Sequence, residues 1–267
     1  MNIIKNANRI VVKVGSSTLT HDNGKLNLQR IGQLVRTLAD FRNAGKQVVL
    51  VTSGAMAAGA AVLRFDHRPA SINEKQAAAA VGQTELMKLY AADFANYGYP
   101  VGQILLTKDV VDNPTAHQNA VNTFETLFGF GCVPIVNEND TISFDEIAVG
   151  DNDTLSAYVA VMCKADALIL LSDIDGFYDS DPRSNPDAKL IPTVAKIDDE
   201  ILSHAGGAGS NRGTGGLITK LNAAQIAGEA GIPMFLVSGA DPSILYDLIE
   251  GRHVGTYFMS SGENGKN

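Results

Sequence analysis

The chain has no tryptophan, only two cysteines, and a low aromatic content of 6% over 267 residues. Cys132 and Cys163 form no CxxC pair and stand near no His cluster at metal spacing, so they read as buried thiols in a reducing compartment. No run approaches the ~20 apolar residues that span a bilayer. The first residues, MNIIKNANRIVVKV, lack the apolar core of a secretory signal. The formal net charge of −8 removes the basic excess of a broad nucleic-acid or membrane footprint. These absences leave a cytoplasmic protein whose partners include neither nucleic acid nor membrane.

What is present points to a layered α/β domain. The sequence is 45% hydrophobic with 26 glycines, enough for a substantial core. Short apolar runs at 9–14, 47–51, 101–106, 133–136, 167–171, 233–237 and 255–259 read as strands, with a weaker strand-like piece at 190–194. Between them, helical patterns cover 28–44, the Ala-rich segment after Gly54, 71–97, 114–130, 154–164, 199–204, 217–230 and 242–250. In the first of these, Leu28, Ile31, Leu34, Val35, Leu38 and Phe41 share a face, and Gly45 suits the C-terminal cap. Such alternation predicts a three-layer αβα sandwich around a mostly parallel open sheet. Residues 1–259 form one domain on this reading, and 260–267 a flexible tail.

The most informative stretch is 133–153, VPIVNENDTISFDEIAVGDND. An apolar strand runs into two polar clusters, Asn137-Glu138-Asn139-Asp140 and Gly150-Asp151-Asn152-Asp153. In open α/β sheets the ligand site lies beyond the carboxyl ends of the strands. Acids and amides there suit something carrying both an ammonium and a metal-bound phosphate. The same residues also form Asx-rich turns in their own right.

Other strand ends repeat the theme. Lys13 sits inside the first strand, so it either snorkels to the sheet end or has an anionic partner. Gly15-Ser16-Ser17 follows, and its backbone N–H groups suit phosphate. Thr52-Ser53-Gly54 opens a helix, which fits either an anion site or simple N-capping by Ser53; the spacing does not separate the two. The strand at 167–171 ends in SDIDGFYDSDP, which lacks the spacing and terminal Glu of a calcium loop. A Gly-dense loop at 206–216 feeds the last long helix, with Lys220 in its first turn. It matches neither a Walker A loop nor a dinucleotide fingerprint. His117 reads as a solvated helix residue.

Taken in order, KVGSS, VTSGAMAAG, VPIVNEND, GDND, LLSDIDGFYDSDP and GTGGLITK resemble the amino-acid kinase superfamily, over roughly residues 9–258. The likeness is greatest to the branch that phosphorylates glutamate. Many members of that branch carry a further C-terminal PUA domain, whereas this sequence stops at the kinase domain. The resemblance implies transfer of the ATP γ-phosphoryl group to the γ-carboxylate of L-glutamate, the first step of proline biosynthesis. It implies that Lys13 and Lys220 stabilise the transferring group and that Asp153 orients them. Ser53, Asn137, Asp140 and Asn152 would hold glutamate. Lys13, Gly15, Ser172 and Asp173, with Thr214, Gly215, Gly216, Leu217, Ile218, Thr219 and Lys220, would hold the nucleotide. Mg2+ would be bound mainly through the ATP phosphates, with no metal site built from protein ligands alone. Proline is an expected feedback inhibitor, and a homodimer or homotetramer the expected assembly. The chemistry agrees: a carboxylate with a pKa near ~4 is already ionised and needs no general base, only positioning and charge neutralisation. Alternatives are a same-fold kinase for N-acetylglutamate, aspartate, carbamate or UMP, or a non-catalytic amino-acid or nucleotide sensor.

Overall fold

The computed structural model describes residues 3–21, 23–67, 69–107, 109–142, 152–182, 184–205 and 215–262. Its elements run α1 (Ile3–Asn6), β1 (Arg9–Val14), α2 (Ser16–Leu19), α3 (Leu28–Asn43), β2 (Gln47–Val51), α4 (Ala55–Val62), α5 (Ile72–Ala95) and β3 (Val101–Leu106). They continue through α6 (Asp109–Asp112), α7 (Pro114–Gly129), β4 (Val133–Glu138), α8 (Asn152–Met162), β5 (Ala167–Ser172), β6 (Thr193–Val194) and α9 (Asp199–His204). The last are α10 (Gly215–Glu229), β7 (Met234–Ser238), α11 (Ile244–Ile249) and β8 (Thr256–Phe258).

The eight strands form one sheet in the order β3-β4-β2-β1-β5-β7-β8-β6. Every pairing is parallel except β7 with β8. Alternate residues of a strand face opposite sides, and the two cores follow that parity. Val12, Leu50, Ile135 and Ile169 pack on one face with side chains of α3, α5 and α11. Val11, Val49, Val136 and Leu170 pack on the other with α7, α8 and α10. Strands buried on both faces read as continuous apolar runs, hence RIVVKV and ALILLS. The expected three layers are those observed.

Several boundaries differ from the sequence reading. Leu28 is exposed and lies outside the buried face of α3, which Asn27 caps by accepting from Arg30 N at 3.1 Å. The stretch 190–194 yields only the two-residue β6, with an isolated bridge between Tyr178 and Leu190. Ser260 is buried and Ser261 N donates to Gly228 O at 3.0 Å, so the expected tail 260–267 begins on the body of the protein; 263–267 lie outside the described residues.

One helix pair sets the geometry of the site. Ser71 and Glu74 close a capping box at the start of α5, with Glu74 N donating to Ser71 Oγ at 3.2 Å. Where α5 crosses α4, a Cβ on Gly59 would lie 1.7 Å from Ala78 O, and one on Gly82 1.7 Å from Ala55 O. The two backbones therefore approach through a glycine on each helix, each set against an alanine carbonyl of the other. Gly82→Ala is expected to lower stability by about 1–3 kcal/mol despite the ~1 kcal/mol gain in helix propensity. A shift of the urea midpoint would measure it, and an unchanged midpoint would contradict this packing.

Candidate active site

Lys13 lies near the carboxyl end of β1, a central strand, paired with Val51 of β2 and Leu170 of β5. It shares parity with Val11 and so faces the α8 and α10 layer. Its Nζ is ion-paired with Asp153 Oδ1. Lys220 Nζ reaches the other oxygen, Asp153 Oδ2, at 2.9 Å, and donates to Gly216 O at 2.9 Å. Asp153 is 1% exposed, and the two lysines 7% and 8%. Burial alone would raise the Asp153 carboxyl, but the two lysines outweigh it and hold the group below the usual carboxylate range. The expected anionic partner of Lys13 is thus found, and it is shared.

Asp153 was expected in a polar cluster ahead of a helix. It stands inside the first turn of α8, together with Asn152. A carboxylate there is also favoured by the helix dipole. Lys220, expected in the first turn of its helix, lies one turn deeper because α10 begins at Gly215.

The other predicted residues fall around this triad. β4 extends to Glu138, two residues further than its apolar run, so Asn137 and Glu138 are buried strand residues and not turn residues. Ser53 is not a cap: Gly54, at φ +92°, takes the N-cap position of α4. Ser53 Oγ instead accepts from Asn152 Nδ2 at 2.9 Å. The same nitrogen lies 2.6 Å from Thr52 O and 2.9 Å from Asn137 Oδ1, so its two hydrogens are shared among three acceptors. Ser53, Asn137, Asp140 and Asn152 all line one cavity of about 1280 Å³. Burial pushes the Asp140 carboxyl above its ordinary value.

β1 and β5 pair with Val14 opposite Leu171, which places Gly15, just past β1, next in register to Ser172, the last residue of β5. Ser172 Oγ donates to Asp173 Oδ1 at 3.1 Å. A Cβ on Gly15 would lie 3.6 Å from Lys13 Nζ, and one on Gly216 3.8 Å from Lys220 Nζ, so glycine leaves each ammonium open on that side. Thr219 Oγ1 bonds Gly216 O at 3.0 Å; Leu217 is half-buried and Ile218 exposed. Thr214, Gly150, Asp151 and the rest of the loop 206–214 lie outside the described residues. Cys163 is buried and Cys132 only partly so, both as free thiols. Among the described residues no helix is long and apolar enough to cross a membrane.

Sequence reasoning missed Gln83, whose Oε1 accepts from Asn137 Nδ2 at 2.9 Å inside the protein. Its only signal is a polar residue within an Ala-rich helical segment.

A buried carboxylate bridging two lysines, with one glycine just past β1 and another in the first turn of α10 beside them, defines a site for moving a phosphoryl group. The chain belongs to the amino acid kinase family, whose model matches residues 8–238. It is 54% identical to the glutamate 5-kinase of Clostridium perfringens, over 96% of this chain and 97% of that one. To the glutamate 5-kinase of Geobacter sulfurreducens it is 48% identical, over 98% of this chain and 70% of the relative. Among solved structures it resembles an isopentenyl phosphate kinase, at TM-score 0.65 and 15% identity, over 94% of this chain and 100% of that one. It also resembles the UMP kinase of Bacillus anthracis, at TM-score 0.61 and 16% identity, over 96% and 97%. These two likenesses concern the fold.

Proposed function

We propose that the protein transfers the γ-phosphoryl group of ATP to the γ-carboxylate of L-glutamate, giving L-glutamyl 5-phosphate and ADP for proline biosynthesis. The observation that carries this is the Lys13–Asp153–Lys220 bridge set beside a cavity of acids and amides. Relatives of 54% and 48% identity that are glutamate 5-kinases support the choice of acceptor.

The transferring group carries its charge on the equatorial oxygens, so catalysis is positioning and neutralisation. An ammonium has three donors. Two of those on Lys220 are engaged by Asp153 and Gly216, leaving one for a phosphoryl oxygen. Asp153 keeps both lysines charged and aimed in a site otherwise costly for a cation. The acceptor carboxylate attacks as it stands, ionised. Asp140 takes its ammonium, while Ser53, Asn137 and Asn152 fix the rest. Gly15, Ser172, Asp173 and residues 214–220 hold the nucleotide.

Among the described residues no three His, Cys, Asp or Glu side chains converge to hold a metal. Magnesium would be held mainly through the ATP phosphates, where it would neutralise phosphate charge. Residues 1–259 act as the kinase domain, in the cytoplasm, as a homodimer or homotetramer open to inhibition by proline.

The test is turnover of ATP and magnesium with L-glutamate, with hydroxylamine trapping the acyl phosphate as a hydroxamate. Aspartate, N-acetylglutamate and UMP run in parallel. Hydroxamate from another acceptor alone would move the substrate. Ligand-induced stabilisation without any turnover would make the protein a sensor.

Asp140→Asn separates binding from stability. The Asp140 carboxyl is raised by burial, so at neutral pH its charge costs stability in the free protein. That cost vanishes below about pH 4, where the group is protonated folded and unfolded, and grows as pH rises through the raised value. The variant is expected to melt higher at pH 7 than wild type, while KM for L-glutamate rises at least about tenfold. A variant less stable at pH 7, or one with unchanged KM, would contradict this role.

A further inference from the structure

We infer that Gln83 is a positioning residue that holds the amides around the acceptor in the direction the backbone sets, and through them the selection of an α-ammonium group. This rests on the amino-acid acceptor proposed above. Side-chain amides are directionless until a neighbour of known polarity orients them. Here the backbone supplies that neighbour at both ends. Glu138 N, which can only donate, lies 2.9 Å from one arm of Asn137, so that arm is Oδ1. The opposite arm is then Nδ2, and it donates to Gln83 Oε1 at 2.9 Å. At the other end Thr52 O, which can only accept, lies 2.6 Å from one arm of Asn152, so that arm is Nδ2. It reaches Asn137 Oδ1 at 2.9 Å, the polarity the first end requires.

The consequence falls on the cavity. Asn152 spends its donor arm on the wall, which leaves Oδ1, an acceptor, for the cavity it lines with Asp140. These two acceptors, Asn152 Oδ1 and the Asp140 carboxylate, suit an ammonium. Ser53 Oγ already accepts from Asn152, so its O–H is the donor it has to give, which suits a carboxylate.

Gln83 holds this pattern from behind. Asn137 is 2% exposed, and without Gln83 its Nδ2 would be a buried donor in need of another acceptor. Turning to find one would withdraw Oδ1 from Asn152. Gln83 itself is 9% exposed, and its own Nε2 has no hydrogen-bond partner among the described residues. A half-satisfied amide is a poor choice for packing alone. Its neighbour Gly82 is where α5 touches α4, so Gln83 stands at the closest approach of α5 to the helix that follows Ser53.

The experiment compares wild type, Gln83→Met and Gln83→Glu in the hydroxamate assay, with L-glutamate and with glutarate, which has no α-ammonium. Gln83→Met is expected to raise KM for L-glutamate about tenfold and to erode the preference over glutarate by a similar factor. KM for ATP and kcat should stay within about twofold. Gln83→Glu keeps an acceptor in the same place and should restore KM to within about threefold. Equal rises for ATP and L-glutamate, an unchanged KM for L-glutamate, or no recovery in Gln83→Glu would overturn the assignment. Wild type inert towards L-glutamate would overturn the acceptor reading and this role with it. An active wild type with an unaltered Gln83→Met would overturn the role alone.

Discussion

Lys220→Met and Lys13→Met are each expected to lower kcat by a factor of about 10²–10³, or roughly 2.7–4 kcal/mol of barrier. KM for either substrate should move far less. The reasoning is differential: an ammonium already neutralised by Asp153 adds little to binding a ground state, but much to a phosphoryl group whose charge is being redistributed. Methionine keeps the length and apolar stem of lysine while removing the charge, so the strand and helix that carry these residues keep their packing. Single-turnover measurement at saturating ATP separates the chemical step from product release. Near-wild-type kcat in either variant would remove that lysine from the mechanism. A large rise in KM for ATP with kcat intact would make it a nucleotide clamp instead.

Asp153→Ala should have the largest effect on stability. It leaves two lysines, 7% and 8% exposed, without their shared counter-charge. Breaking a buried pair by removing one partner costs about 3–5 kcal/mol, because an uncompensated charge remains. The pH dependence has a definite sign. The Asp153 carboxyl is held below its ordinary value by the lysines, so its contribution is complete above about pH 4 and is lost as pH falls through its depressed native value. The gap between wild type and variant in urea should therefore be wide at pH 7 and narrow in strong acid. A gap independent of pH would mean that alanine acts through packing. Adding Lys13→Met to Asp153→Ala should cost less than the sum of the two single changes.

Much of the architecture could be read from local pattern. β1, β2 and β3 begin and end where their apolar runs do, and α9 spans its expected residues. What local pattern hides is burial of polar groups. Asn137 and Glu138 look like the start of a turn, yet both complete β4 by pairing with β3, and the side-chain partners of Asn137, Gln83 and Asn152, come from α5 and α8. Asn152 and Asp153 look like more of the same and are helical for a related reason: the carboxylate finds its lysines near the end of β1 and in the second turn of α10. Gln83 was invisible because an Ala-rich helix declares no buried face, and its role depends on a backbone crossing. β8 runs antiparallel to β7, the one exception among the pairings of a sheet expected to be mostly parallel. The short helices α1, α2 and α6 carry too few residues for a period to show.

The contact of Gly59 with Gly82 has a consequence for how such a sequence can drift. Each glycine lies against a backbone carbonyl of the other helix, so neither position has an intermediate: one methyl group already overlaps main chain. Loosening would have to begin with a move of a whole helix, which would carry the wall of the cavity with it. Neutral substitution can wander over the outer faces of α4 and α5, but at their crossing the chain is held in a one-way ratchet.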